Sequence, residues 1–151
     1  MTSSSADPRI VVGVDGSESS SEALLWAKRL SNALGVGIEA LMFWDYPPAY
    51  GWAPAFPPEY RPDQDAALTL AEAITSALGE PKPEGIKESV RQGHPSQLLV
   101  TASKGAEMLV VGSRGHGGFT GLLLGSVSAH CAEHAMCPVL VVHPTTHGGK
   151  F

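Results

Sequence analysis

Cysteine is scarce in this chain: only Cys131 and Cys137 occur, six positions apart and outside any CxxC pair. That spacing offers neither a disulfide framework nor a zinc-finger signature, and it points to a reduced, intracellular protein. Long hydrophobic runs are missing too. No segment approaches the ~18 apolar residues that a membrane-spanning helix needs, and the opening MTSSSADP lacks the apolar stretch of a secretory signal. A basic excess is also absent. The formal net charge is −5, with Lys and Arg scattered, so the electrostatic footprint of a DNA- or RNA-binding face is not there. What remains is a chain of 151 residues, 43% hydrophobic and 17% charged, which reads as a soluble cytoplasmic globular protein. With no repeat at a fixed period, one domain is expected over 9–144, between flexible termini at 1–8 and 145–151.

Apolar runs then set the order of elements. Arg9 to Asp15 (RIVVGVD) is β-branched without alternation, the pattern of a strand covered on both faces. Ser19 followed by Glu22 matches a capping box, and Ala23, Trp26, Ala27, Leu30 and Ala33 recur at helical spacing up to Gly35. Val36 to Trp44 reads as a second strand. Asp45 to Pro62 holds six of the twelve prolines and five aromatic residues, so it is expected to be a long loop packed over the surface. Asp63 is the expected cap of the next helix, whose stripe runs from Ala66 to Leu78 and closes at Gly79. Ile86 to Arg91 is expected as a strand. His94-Pro95 opens a helix running to Gly105, and EMLVVG (Glu107–Gly112) is a buried strand. A glycine-rich loop follows, then a helix from Ser126 to Met136 and a last strand, PVLVVH (Pro138–His143). Strands alternating with helices predict an α/β fold: a parallel sheet with helices on both faces, binding its ligand beyond the carboxyl ends of the strands.

The loop carries most of the functional information. Between Gly112 and Val127, six of the chain's 17 glycines fall between a buried strand and a helix, where α/β proteins bind phosphates. Glycine tolerates positive φ and lets backbone amides approach an anion closely. Ser126 adds a hydroxyl at the helix start. No GxxxxGK[ST] occurs, and Gly13-Val14-Asp15-Gly16 lacks the third glycine of a dinucleotide fingerprint.

Gly112-x2-Gly115-x9-Gly125-Ser126 resembles, without a gap, the G-2x-G-9x-G-[ST] pattern of ATP-binding universal stress proteins. The opening IVVGVDGSESSSEAL and the closing GSVSAHCAEHAMCPVLVVH resemble that family's first strand and helix and its last helix and strand. The resemblance implies a five-stranded parallel sheet in the order 3-2-1-4-5, a three-layer sandwich like that of the adenine nucleotide alpha hydrolases. It implies ATP as ligand, or AMP or cyclic AMP, with or without Mg²⁺. By position, Asp15 matches the acidic residue near ribose and adenine, Gly13 and Val14 line the same crevice, and Phe43 matches the position whose backbone contacts adenine. Gly112, Ser113, Arg114, Gly115, His116, Gly117, Gly118, Gly125, Ser126 and Val127 match the loop around ribose and phosphates. Since an anionic Asp15 repels a triphosphate, a ribose-hydroxyl or metal-linked role suits it. Where the family often carries a small aliphatic residue, this chain has Phe43 and Trp44, which is expected to reshape the adenine pocket.

Other chemistry is thinly represented. His130 and His134 share a helix face at i, i+4, as metal ligands can, but no HExxH is present and no metal is assigned there. The serines from Ser17 to Ser21 lack a nucleophile-elbow context, and with no general base beside a partner, no catalytic residue is assigned. The expected function is therefore adenine-nucleotide binding by a stress-response sensor or regulator. Val139, Leu140, Val141 and Val142 would form an exposed apolar edge in a monomer, so a homodimer through the last strand is expected. The alternatives are an interaction module of the same fold without nucleotide, and a slow Mg²⁺-dependent ATPase.

Overall fold

The computed structural model describes residues 8–45, 59–114 and 125–144. Five strands and four helices alternate: β1 (Arg9–Gly13), α1 (Glu18–Leu34), β2 (Gly37–Trp44), α2 (Pro62–Leu78), β3 (Ile86–Gln92), α3 (Pro95–Ser103), β4 (Met108–Gly112), α4 (Ser126–His134) and β5 (Val139–Val142). The strands form one parallel sheet in the order β3-β2-β1-β4-β5, as expected. Chain order reverses between β1 and β4, which opens a crevice at their carboxyl ends.

Alternate residues of the same strands feed two cores. Ile10, Val12, Val14, Ile38, Ala40 and Met42 pack with Ala23, Leu24 and Ala27 of α1 and Leu70 and Ile74 of α2. Val11, Leu41, Leu109 and Val111 pack on the other face, with Leu99 of α3 and Cys131 of α4. Burial on both faces is why β1 and β4 read as unbroken apolar runs. β2 carries one exception: Glu39, only 5% exposed, accepts from Arg9 Nε at 2.8 Å and from the Ser89 hydroxyl at 3.0 Å. Burial pushes its carboxyl up, yet the Arg9 and Ser89 hydrogen bonds and the Arg9 and Lys87 charges outweigh this and hold it below the ordinary glutamate value.

Several local expectations are corrected. Ser19 does not cap α1; Ser17 does, its side chain accepting from the Ser20 amide at 3.2 Å, while Ser19 is buried in the first turn. The reason lies upstream. Asp15 Oδ1 accepts from the Ser17 amide at 2.9 Å, which turns the chain out of the sheet, so β1 stops at Gly13 rather than Asp15. Asp63 is not the cap of α2. Pro62 is the first helical residue, behind Arg61, because proline needs no amide partner there. α4 stops at His134 rather than Met136: Ala135 is extended (φ −61°, ψ 153°) and the Met136 amide is taken by Ser103 Oγ at 2.8 Å. Most of the proline- and aromatic-rich loop, 46–58, lies outside the described residues. Among the described residues no helix is long and apolar enough to cross a membrane.

Candidate functional site

Two strand-to-helix junctions meet at the crevice. At the first, Val14 donates its amide to Leu41 O at 2.8 Å, the last rung between β1 and β2. Asp15 is exposed, with one carboxylate oxygen engaged by the Ser17 amide. At the second, β4 ends at Gly112. The Ser113 amide donates to Val142 O at 2.8 Å, and Ser113 O accepts from the Gly125 amide at 2.6 Å and from Ser128 Oγ at 3.0 Å. Those bonds bring the two ends of the glycine-rich loop side by side, so Gly112, Ser113 and Arg114 lie next to Gly125, Ser126 and Val127. Gly115, His116, Gly117 and Gly118 lie outside the described residues.

The two junctions are latched together by serines. Ser19 donates its hydroxyl to Arg114 O at 2.6 Å and accepts from the Arg114 amide at 3.4 Å. Ser17 Oγ donates to the same carbonyl at 3.4 Å. The fit is tight: a Cβ at Gly112 would sit 2.5 Å from Ser19 Oγ and 2.8 Å from the Ser19 backbone carbon. A Cβ at Gly13 would meet Leu99 Cδ1 at 3.1 Å. Close approach, not backbone conformation, is therefore what requires glycine at 112. Neither Gly13 nor Gly112 has a positive φ, and Gly125 has φ −71°, so at Gly112 and Gly125 the positive φ expected of the loop glycines is absent.

The helix starts differ in their capping. Gly125 occupies the cap position of α4 with no side-chain hydrogen bond, and Ser126 is exposed. The amides of that first turn have no intrahelical acceptor, and the helix dipole adds positive potential there. At the loop's root, Ser113 is fully buried, and its hydroxyl is the one buried side-chain polar atom without a partner among the described residues. Among the described residues, a helix start without a side-chain cap, clamped to the end of β4, suits an anionic, hydrogen-bonding ligand.

Phe43 lies on the neighbouring strand. In a parallel ladder, residues two apart turn their amide and carbonyl the same way. Leu41 faces β1, so the Phe43 peptide groups face that side as well, beyond the point where β1 has ended. Its ring packs against the Val11–Leu99 core, whereas the Trp44 ring packs against the Ile10–Leu24 core. The two aromatics are thus divided between the two faces of the sheet.

Sequence reasoning missed Ser19, Ser17 and Ser128 as builders of the site. Their signal was the serine run after β1 and the Ser-x-Ser at the start of α4, which periodicity assigns only to helix. Among the described residues, no group of three or more His, Cys, Asp or Glu is arranged to hold a metal ion.

Comparison with known proteins agrees with the fold. The sequence model of the universal stress protein family matches residues 8–143. A universal stress protein of Mycolicibacterium smegmatis is 34% identical over 136 residues, covering 89% of this chain and 45% of the relative. One from Mycobacterium tuberculosis is 32% identical over 136 residues, covering 88% of this chain and 47% of the relative. The chain thus spans about half the length of the curated relatives it matches. Among solved structures, a universal stress protein in complex with cAMP aligns with a TM-score of 0.63 at 29% identity, covering 93% of this chain and 99% of that one.

Proposed function

The chain belongs to the universal stress protein family, and on that premise we propose that it holds an adenine nucleotide across the carboxyl ends of β1 and β4 and acts as a nucleotide-responsive regulator of the stress response in the cytoplasm. The observation that carries this reading is the uncapped start of α4, clamped to the end of β4 through Ser113 O and the Gly125 amide. Phosphate oxygens satisfy such amides directly and complement the helix dipole. In this reading Gly112, Ser113, Arg114, Gly115, His116, Gly117, Gly118, Gly125, Ser126 and Val127 surround ribose and phosphates. The Phe43 peptide groups take the adenine edge, Asp15 takes a ribose hydroxyl, and Gly13 and Val14 floor the crevice. The cAMP complex of the relative at 29% identity supports an adenine nucleotide as the ligand class. ATP is the ligand we put first, with AMP and cyclic AMP as competitors; where Mg²⁺ accompanies ATP, Asp15 is the carboxylate nearest the purpose.

Regulation rather than dedicated catalysis suits a site whose sequence offers no general base with a placed partner. The reading extends to a homodimer. β5 closes the sheet on one side; of the four residues expected at its edge, Val139, Leu140 and Val141 are partly buried and Val142 is buried instead, so pairing with a twin would cover the apolar edge of the first three. Light scattering at micromolar concentration checks it; a monomer mass contradicts it.

The test of nucleotide binding has two steps. Purified protein is denatured and the supernatant chromatographed for ATP, AMP and cyclic AMP; the emptied, refolded chain is then titrated calorimetrically with each. Saturable binding of one nucleotide at one site per chain is the expected result. No heat with any of the three would leave the interaction-module reading instead, and sustained phosphate release would favour the Mg²⁺-dependent ATPase.

A further inference from the structure

α4 carries a second group of polar side chains that the nucleotide reading does not use. His130 and His134 lie one turn apart with ring centroids 4.5 Å from each other and planes inclined by 40°. Between them in sequence, Cys131 is fully buried in the core and fixes this helix to the sheet. Beyond them, the Met136 amide is tied to Ser103 Oγ at 2.8 Å. The pair is therefore presented by a helix anchored between the two rings and just beyond them. His134 keeps 56% of its side chain exposed, and the Glu133 carboxylate stands 3.7 Å from its Nε2, too far for a hydrogen bond.

From this geometry we infer that His130 and His134 form a two-imidazole site for one exchangeable divalent transition-metal ion. Two histidines at i, i+4 lie on one helix face, so rotation about their side-chain bonds brings one nitrogen of each ring to a single ion. Imidazole suits Cu²⁺, Ni²⁺ and Zn²⁺ rather than the hard ions Mg²⁺ and Ca²⁺, with Cu²⁺ tightest. A cation in the last turn of α4 also meets the negative end of the helix dipole. Cys131 does not compete, because it is fully buried in the core. With two protein ligands, the remaining coordination positions go to water, so the ion is exchangeable rather than structural. The chain is expected to fold without it.

The full chain is titrated with Cu²⁺, Ni²⁺ and Zn²⁺ by calorimetry and by thermal melting, with Mg²⁺ as the hard-ion control. One ion per chain is expected, tightest for Cu²⁺, with a rise in melting temperature that Mg²⁺ does not reproduce. His130→Gln and His134→Ala should each weaken binding by about tenfold or more, because removing either ring abolishes the chelate. Their double variant should add little. A His143→Ala/His147→Ala variant, altered only near the C-terminus, should bind as the parent does. Parental affinity in both single variants overturns the assignment, as does loss of binding only in the C-terminal variant or a ratio of one ion per two chains.

Discussion

The two junctions at the crevice begin alike and end differently. β1 passes into α1 through a short turn whose polar groups are satisfied locally: Asp15 takes the Ser17 amide and Ser17 takes the Ser20 amide. β4 passes into α4 through a long loop, and α4 starts at a glycine that offers no side chain to its amides. Among the described residues, one helix start is closed from within and the other has no side-chain cap. A glycine at the cap costs the helix only a few tenths of a kcal/mol against a capping side chain, so the start stays free of a side chain cheaply and a ligand can supply the acceptor. The closed junction serves the open one, since Ser19 and Ser17 hold the carbonyl of Arg114 where the loop departs.

Breaking the contact between the junctions should have the largest effect. Gly112→Ala drives a methyl into Ser19, at 2.5 Å from its Oγ and 2.8 Å from its backbone carbon, and overpacking of this kind costs about 1–3 kcal/mol. Urea denaturation should show that loss, and nucleotide affinity should fall with it. Making the junctions alike comes next. Gly125→Asp fits the extended backbone at that position (φ −71°, ψ 167°) and caps α4 with a carboxylate that competes with phosphate. Nucleotide affinity should drop by about tenfold, a change of ~1.4 kcal/mol, while thermal stability is kept or rises by a few tenths of a kcal/mol. A variant that binds as tightly as the parent would break the comparison.

Opening the closed junction is a smaller change. Ser17→Ala removes the α1 cap and should cost ~1 kcal/mol in urea. Combined with Ser19→Ala, the losses should be non-additive, because both hydroxyls share Arg114 O. The smallest effect tests a charge away from both junctions. Glu39 sits below the ordinary glutamate value in the folded chain, so its contribution to stability is complete above that ordinary value and drains away as pH falls through the lowered one. Acid titration of stability should show this decline at low pH, and Glu39→Gln should flatten it.

How much of this was legible in the sequence differs between the fold and the site. Element order and the parallel sheet were readable because β1 and β4 are apolar on both faces and glycines stand where α1 and α2 close. Helix starts were read less well. Ser17 and Ser19 are the same residue type two positions apart, and only the Asp15 turn decides which caps and which is buried. At the site, glycine density located the loop, but not why Gly112 is glycine, since its neighbour Ser19 is 93 residues away in the chain. The orphaned hydroxyl of Ser113 was equally invisible, because its burial depends on the packing of distant elements.

The uncapped start of α4 can be observed directly by ¹⁵N-labelled amide spectra recorded during titration with ATP. The amides of Ser126, Val127 and Ser128 should move most and saturate together, while those of Ser19 and Ser20 in the closed first turn of α1 should shift little. Saturating shifts confined to α1, or none at α4, would contradict the account.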